Sequence, residues 1–237
     1  MTALRAAVAA QVLAVLGQRD AGPPVVQTAE AIARIAGAEV RPLRLAADLT
    51  PPRATARVLR ALHRPRSLTA VLAGDEVSRP VWQRVAQRSD KPVVLVPAGA
   101  RNRPQQIRRV LLPLDGTARS AAAVAPTAEL LARGGAELVV LHVFDAETVP
   151  KFWDQPAHAG PAWTEEFLAR YCNLPGARME LRSGAAAEHV AQVAAAEQAD
   201  MIALAWSQQL GQGRAPVVLR TVLEAEVPVI LVPIPAD

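Results

Sequence analysis

Apolar and polar residues follow one another in blocks that predict strands and helices in turn. The clearest block is residues 110–144, where an apolar run (110–116) ends in Asp-Gly, an alanine-rich segment (119–133) follows, and a second apolar run (137–144) closes it. Short apolar runs bounded by turn residues are typical of buried strands, and the segment between them fits a crossover helix. The block therefore predicts a right-handed βαβ unit of an α/β sheet with helices on both faces.

The same pattern occurs twice. Residues 12–34 resemble residues 111–133, with Thr28-Ala29-Glu30 falling on Thr127-Ala128-Glu129 at a spacing of 99. Near the ends of the two copies, KPVVLVP (91–97) matches VPVILVP (227–233) at a spacing of 136. We interpret this as a tandem duplication with one domain over 1–104 and a second over 105–237.

Each copy is predicted to have the same plan. For the first we expect strands at 11–17, 38–46, 68–74 and 92–97 and helices at 23–36, 52–63 and 79–89. For the second, beyond residue 144, we expect helices at 161–171, 185–198 and 215–226 and strands at 178–182, 200–206 and 228–233. The first copy lacks the equivalents of the helix within the added segment 145–175 and of strand 178–182. Pairing of the two final Val/Ile-rich strands would bury two edges and give an internal pseudo-dimer.

Composition narrows the classes of function. Half of the residues are apolar but only 3% are aromatic, and the net charge of +4 is carried almost wholly by arginine. The arginines are scattered at helical spacing, which favours a solvated surface over a nucleic-acid face. The single cysteine, Cys172, excludes an internal disulfide and fits a reducing cytoplasm; we interpret it as a small buried hydrophobe.

The N-terminal residues could pass for a weak signal peptide, since Arg5 precedes an apolar run. Gln11 interrupts that run, however, and the match with the second copy predicts a strand there. No apolar run approaches the roughly 18 residues that a membrane-spanning helix needs. We expect a cytoplasmic protein without membrane contact.

Four segments, in their order and spacing, resemble the universal stress protein family. They are VLLPLDG, LVVLHVF, ADMIALAWS and the terminal VPVILVP, and the resemblance is good over most of 107–237 and weak over 11–97. It implies an α/β fold of two Rossmann-like lobes of the adenine nucleotide alpha hydrolase type. Each lobe would be a mostly parallel sheet flanked by helices, and a pseudo-twofold axis would relate the two.

The resemblance also implies an adenine site in the second lobe. Family members that bind ATP carry an aspartate after their first strand, and Pro113, Asp115 and Gly116 retain this end of the strand. Val143, at the end of the next strand, matches a second position that touches the nucleotide. The first copy has Leu16 in place of Asp115, so no adenine site is expected there.

The phosphate signature of the family is altered. It comprises Gly, two residues, Gly, nine residues and then Gly-Ser/Thr, so that glycines and a helix N-terminus approach the phosphates. Here its two leading glycines become Ala205 and Gln208, with Ser207 between them, and its Gly-Ser becomes Ala215-Pro216. The remaining candidates for holding an anion in this loop are Gly211, Gly213 and Arg214. We expect ATP binding to be weak or absent.

Other chemistry has little support in the sequence. Asp115 could act as a general acid at the ligand side of the sheet, but no partner base is visible, and capping of the next helix explains it equally. The four histidines lack metal-ligand spacing, and Ser207 lacks the nucleophile elbow of a serine hydrolase. No catalytic residue, metal or resident cofactor is expected.

Most of the aromatic residues lie in the added segment. Trp153, Trp163 and Phe167 either pack the predicted helix onto the core or form a lid or partner patch over the second cleft. The sequence thus predicts a non-enzymatic stress protein that acts through protein partners or a small ligand. We expect it not to bind nucleic acid, and homodimerisation is left open. The alternative is an ATP or AMP sensor near Asp115, and a nucleotide hydrolase is least favoured. A sensor should have an open cleft beside Asp115, and an interaction module should have Trp206 or Gln208 filling it.

Overall fold

The computed structural model describes residues 9–17, 22–100, 106–144, 156–209 and 215–235, with backbone only for 156–160. The strands are β1 (Gln11–Leu16), β2 (Glu39–Arg44), β3 (Ser67–Ala73), β4 (Val93–Val96), β5 (Arg109–Pro113), β6 (Glu137–Phe144), β7 (Arg178–Ser183), β8 (Met201–Trp206) and β9 (Val229–Pro233). The helices are α1 (Gly22–Ala36), α2 (Pro51–Leu62), α3 (Arg79–Arg88), α4 (Ala118–Arg133), α5 (Pro156–Tyr171), α6 (Ala186–Ala196) and α7 (Ala215–Glu224).

The nine strands form one sheet in the order β2-β1-β3-β4-β9-β8-β5-β6-β7. Strands within each half are parallel, whereas β4 and β9 pair antiparallel, with Val94 opposite Ile230. The halves are the two Rossmann-like lobes that the sequence predicts, joined through their last strands. Among its described residues the first lobe has no counterpart of α5 and β7, as expected from the repeat.

The outer edge of the first lobe is closed by a proline. In β2 the Glu39 amide donates to the carbonyl just before β1, and the amide of Leu45, one residue beyond β2, donates to the carbonyl at the end of β1. Odd-numbered residues of β2 therefore turn their N–H toward β1, and even-numbered residues turn theirs outward. Pro42 occupies one of these outward positions and has no N–H to offer. At the spacing of 98 that relates Glu39 to Glu137, the first residues of β2 and β6, it corresponds to Val140, which pairs with Met179 of β7. Pro42 thus marks the edge where the third strand is missing.

Apolar side chains cover both faces of the sheet. One core joins the sheet to α2, α3, α6 and α7, and the other joins it to α1, α4 and α5. Both cores are aliphatic and both extend across the junction of the lobes. The two lobes therefore bury apolar surface in common, which is the main source of folding free energy.

The C-terminal ends of α1 and α4 meet beside this junction. A Cβ placed on Gly134 would lie 2.6 Å from Cγ2 of Ile35. Ile35 lies in the last turn of α1, and Gly134 directly follows α4. A side chain at the end of one repeat's helix therefore packs into the space left by a glycine at the end of the other's.

Within the described residues, none of the helices is long and apolar enough to cross a membrane.

The predicted helix at 161–171 begins earlier, at Pro156, and includes Pro161 within it.

Candidate functional site

Asp115 lies in the turn between β5 and α4, at the carboxyl end of the second lobe's strands. Its Oδ1 accepts hydrogen bonds from the Thr117 amide (3.1 Å) and the Thr117 hydroxyl (2.9 Å). Thr117 is the N-cap of α4, and its hydroxyl in turn accepts from the Ser120 amide at 3.4 Å. Gly116 adopts a φ of +74° between them, which glycine tolerates without strain. Asp115 thus supports a helix cap while remaining exposed to the site.

A small apolar cavity lies on one side of this turn. Its volume is about 100 Å³, and its walls include Pro113, Asp115, Val143 and Ala205. These four are predicted nucleotide contacts, so the fold brings that part of the predicted adenine site together. The space would hold about three water molecules, and sites for ligands of drug size measure roughly 300–1,000 Å³.

The segment that would begin the phosphate loop is bound to the first lobe. Trp206 is 2% exposed, and its Nε1–H donates to the Ala86 carbonyl at 3.1 Å. Gln208 donates through Nε2 to the carbonyls of Ala86 (3.3 Å) and Ser89 (2.6 Å). These carbonyls lie at the C-terminal end of α3, where helix carbonyls have no intrahelical partner. The Trp206 indole and the Gln208 amide therefore supply hydrogen bonds to these helix-end carbonyls of the first lobe.

The arrangement expected of an interaction module, with Trp206 or Gln208 filling the cleft beside Asp115, is not found. Both side chains turn away from it because α3 offers buried carbonyls at the lobe junction. Gln208 has a φ of +64°, the left-handed conformation suited to the glycine that the resemblance places there. Gln208 therefore keeps the backbone conformation of a glycine, but its side chain joins the two lobes. Ser207 lies half-buried between these two residues, and Gly211, Gly213 and Arg214 lie outside the described residues.

A cluster of aromatic rings lies on the other side of Asp115. Trp163, Phe167 and Tyr171 follow one another at a spacing of four on α5, which places them on one face of the helix. That face meets the end of β6, where His142 lies 5.5 Å from Trp163 and 4.8 Å from Phe167, ring centroid to ring centroid. Phe144 lies 4.9 Å from Trp163. Such tilted pairs add stabilisation beyond their burial.

The rings do not fill the space between α5, β6 and the Asp115 turn. A cavity of about 420 Å³ remains, with the aromatic cluster, Asp115, Gly116 and Val143 in its wall. Glu166 and Arg170, both exposed on α5, add one carboxylate and one guanidinium to it. The volume falls in the range of small-molecule sites, and the lining combines apolar faces with a few charged groups.

His142 is held in one orientation within this wall. It is 8% exposed, and its Nδ1 lies 2.8 Å from the Leu114 carbonyl oxygen. A carbonyl can only accept, so Nδ1 carries the proton in this bond. The buried ring is thus hydrogen-bonded, as buried polar side chains usually are.

The remaining candidates lie apart from the site. His63 ends α2 and contacts Asp90 at 3.5 Å, and His189 lies on α6 near the Ser183 carbonyl. Cys172 is 7% exposed, and burial raises the pKa of its thiol, which disfavours the thiolate. Among the described residues no group of three or more His, Cys, Asp or Glu side chains could hold a metal ion.

The opposite, amino-terminal end of the second lobe carries a chain of ion pairs. Glu137 accepts from Arg178 (2.6 Å) and Arg109 (2.8 Å), and Glu197 also pairs with Arg178. Hydrogen bonds from Arg178 hold the pKa of both carboxyls below the ordinary value, and Arg109 adds to the effect on Glu137. The same bonds raise the pKa of Arg178. These charges join the first residues of β5, β6 and β7 far from Asp115.

Comparison with known proteins agrees with this fold. The model of the family described as universal stress protein family matches residues 106–233. A universal stress protein from Pseudomonas aeruginosa UCBPP-PA14 is 14% identical, with 95% of this chain and 94% of that chain covered at a TM-score of 0.63. One from Archaeoglobus fulgidus DSM 4304 is also 14% identical, with 96% and 97% covered at 0.60.

A functionally unknown protein from Pseudomonas aeruginosa PAO1 is 13% identical, with 95% and 93% covered at a TM-score of 0.64. No curated protein was found to match the chain. At these identities the solved structures support the two-lobed fold alone.

Proposed function

The chain belongs to the universal stress protein family, and from that premise we propose that it is a non-enzymatic binding protein of stress adaptation. Its second lobe binds a small planar ligand in the aromatic-lined cavity beside Asp115. The observation that carries this proposal is the 420 Å³ of space left among five aromatic and imidazole rings.

The chemistry of the wall favours a planar molecule. Rings from α5 and from β6 pack against one another and together line the cavity, so a flat ligand can stack on the half-buried Trp163 or Tyr171. Glu166 and Arg170 can accept and donate hydrogen bonds at its periphery. Asp115 is already engaged by Thr117, whose hydroxyl also caps α4.

A triphosphate finds less support. The cavity that matches the family's adenine site is only about 100 Å³. Gln208, which stands where the family has a glycine, is bound to α3 through its side chain. Proline at position 216 removes one of the amides that a helix N-terminus would present to an anion.

Two substitutions distinguish the two cavities. Trp163→Ala removes a wall of the aromatic cavity, and Val217→Phe fills the small cavity from α7 without touching the aromatic one. The probes are purine, indole, quinoline and adenosine, measured by thermal shift and by ligand-observed NMR on the full chain. A ligand that binds the native state raises its melting temperature.

We expect at least one planar probe to bind the wild type and Val217→Phe, and to lose at least tenfold in affinity in Trp163→Ala. Binding that survives Trp163→Ala but disappears in Val217→Phe would contradict the proposal. No binding by any probe at millimolar concentration would contradict it as well.

A nucleotide sensor is the second candidate. It is favoured by the assembly of Pro113, Asp115, Val143 and Ala205 around one cavity. This candidate requires that the small cavity widen to admit adenine, and ATP binding that Val217→Phe and Asp115→Ala both abolish would support it.

A further inference from the structure

The two lobes carry opposite charge. Residues 1–104 contain sixteen Lys and Arg against seven Asp and Glu, and residues 105–237 contain ten against fifteen. The modest net charge of +4 therefore combines a first lobe of +9 with a second lobe of −5. A charge imbalance of this size on one lobe favours partners of the opposite sign.

Part of the positive charge is arranged as a row on α2. Arg53, Arg57 and Arg60 lie on the helix and Arg64 just beyond it, at spacings of four, three and four. All four are exposed, whereas Ala54, Val58, Ala61 and Leu62 of the same helix are buried. Side chains at this spacing share one helix face. At 1.5 Å per residue the row is about 16 Å long.

The row makes no internal salt bridge. Among the described residues, none of the four guanidinium groups has a hydrogen bond or ion pair, and the nearby Asp90 contacts His63 instead. Arginines of the second lobe behave differently: Arg109 and Arg178 bond to Glu137, and Arg220 bonds to Glu224.

The matching helix of the second lobe has no such row. With Ala73 aligned on Ala205, the four arginines correspond to Ala185, His189, Gln192 and Ala196. The buried residues of the two helices correspond as well, since Val58, Ala61 and Leu62 fall on Val190, Val193 and Ala194. The fold therefore does not require arginine at these positions.

We propose that the α2 arginine row (Arg53, Arg57, Arg60 and Arg64) is a docking surface for an acidic helix of a partner protein, with Glu or Asp at the same four-three-four spacing. Carboxylates at that spacing lie on one face of a helix and can each meet one guanidinium, which binds carboxylate in a planar, two-pronged geometry.

The shape of the surface favours this partner over other polyanions. The row runs along one helix, and it contains no aromatic side chain on which single-stranded bases could stack. The net negative charge of the second lobe disfavours a long polyanion, such as a duplex, that would extend over both lobes. The apolar side of α2 is buried in the core, so the helix cannot insert into a membrane.

Fluorescence anisotropy of a labelled peptide tests the proposal. The probe is a capped 18-residue alanine-based peptide with glutamates at positions 3, 7, 10 and 14, titrated with the full chain at low and moderate salt. Arg57→Gln/Arg60→Gln removes the centre of the row. The matched control, Arg41→Gln/Arg44→Gln, removes two charges from the edge strand β2 of the same lobe.

We expect the peptide to bind the wild type, to bind the row variant at least tenfold more weakly, and to bind the β2 control within threefold of the wild type. A scrambled peptide with the same glutamates off one face should bind weakly. Equal losses in both variants would indicate diffuse lobe charge and overturn the proposal. Absence of peptide binding would overturn it as well, as would tighter binding of duplex DNA or anionic vesicles through the same row.

Discussion

The two lobes repeat one order of strands and helices, yet only the second retains features of a binding site. Just after its first strand the first lobe has Gly17 where the second has Asp115, since the two first strands are related by a spacing of 98. Where the second lobe continues into α5 and β7, the first stops at an edge strand that carries Pro42. The comparison indicates that one copy has become a support, and that its docking on the other copy changes what the retained site can bind.

The two lobes differ most at the end of β3 and of its counterpart in the second lobe, β8. The first lobe has Gly74 there, where a Cβ would meet the Val96 carbonyl oxygen at 3.3 Å. The second lobe has Trp206, whose indole reaches the end of α3 in the other lobe. A segment that could serve a ligand therefore serves the junction instead.

Loss of the Trp206 indole should have the largest effect. Trp206→Ala removes a fully buried ring and a hydrogen bond between lobes, and we expect it to lower the free energy of unfolding by about 3–5 kcal/mol. Trp206→Phe keeps most of the burial and should cost about 1–2 kcal/mol. Urea denaturation measures both. A cost below about 1 kcal/mol for the alanine variant would show that the indole does not hold the lobes together.

Gly134→Ala tests the second contact between lobes. The new methyl would overlap Ile35, so we expect a destabilisation of about 1–3 kcal/mol. The φ of Gly134 is −75°, so alanine adds no backbone strain there. In an Ile35→Ala background the same substitution should cost little, and a double-mutant cycle from urea denaturation measures the coupling. Equal costs in the two backgrounds would contradict the packing described.

The ion pairs confined to the second lobe should make its stability depend on pH. The pKa of Glu197 is lowered in the folded state, so its ionised carboxylate adds to the free energy of unfolding. This stabilisation is fully present above the unfolded pKa of about 4.3 and is lost as pH falls through the lower folded pKa. Glu197→Gln should cost about 1 kcal/mol at pH 7 and less at pH 3. Glu188→Gln, at an exposed pair with Arg220, is the matched control and should change little. Melting temperatures at both pH values decide the matter, and a cost that does not shrink at low pH would contradict it.

Pro42 should affect association more than stability. Pro42→Val supplies the residue found at the matching position of β6, Val140, and restores an outward N–H. We expect concentration-dependent self-association, seen by light scattering, with a change in stability of about 0.5 kcal/mol or less. Pro42→Lys restores the same N–H but adds a charge, and should stay dispersed like the wild type. Association of the lysine variant to the same degree would mean that the edge is not guarded in this way.

The sequence predicts most of the fold, because apolar runs bounded by prolines and glycines define the strands and the repeat confirms their order. Strand β6 begins and ends as predicted. Helix α5 begins five residues before the predicted start, since Pro161 suggested a first helical turn but lies inside the helix.

The site is less predictable because it depends on contacts between distant segments. The Trp163, Phe167 and Tyr171 stripe is visible as a spacing of four, but its meeting with His142 depends on the position of β6 in the sheet. The use of Trp206 and Gln208 could not be predicted, since their partners lie about 120 residues away in the other lobe. The arginine spacing on α2 is also visible in the sequence, whereas the absence of ion pairs to these arginines among the described residues is a property of the fold.

The most direct test of the central claim is a calorimetric comparison of ATP with adenosine on the wild-type chain. If the segment after β8 serves the junction of the lobes and cradles no phosphate, ATP should bind no more tightly than adenosine. ATP binding at least tenfold tighter than adenosine, and lost in Asp115→Ala, would show that the second lobe retains a phosphate site and would contradict the account.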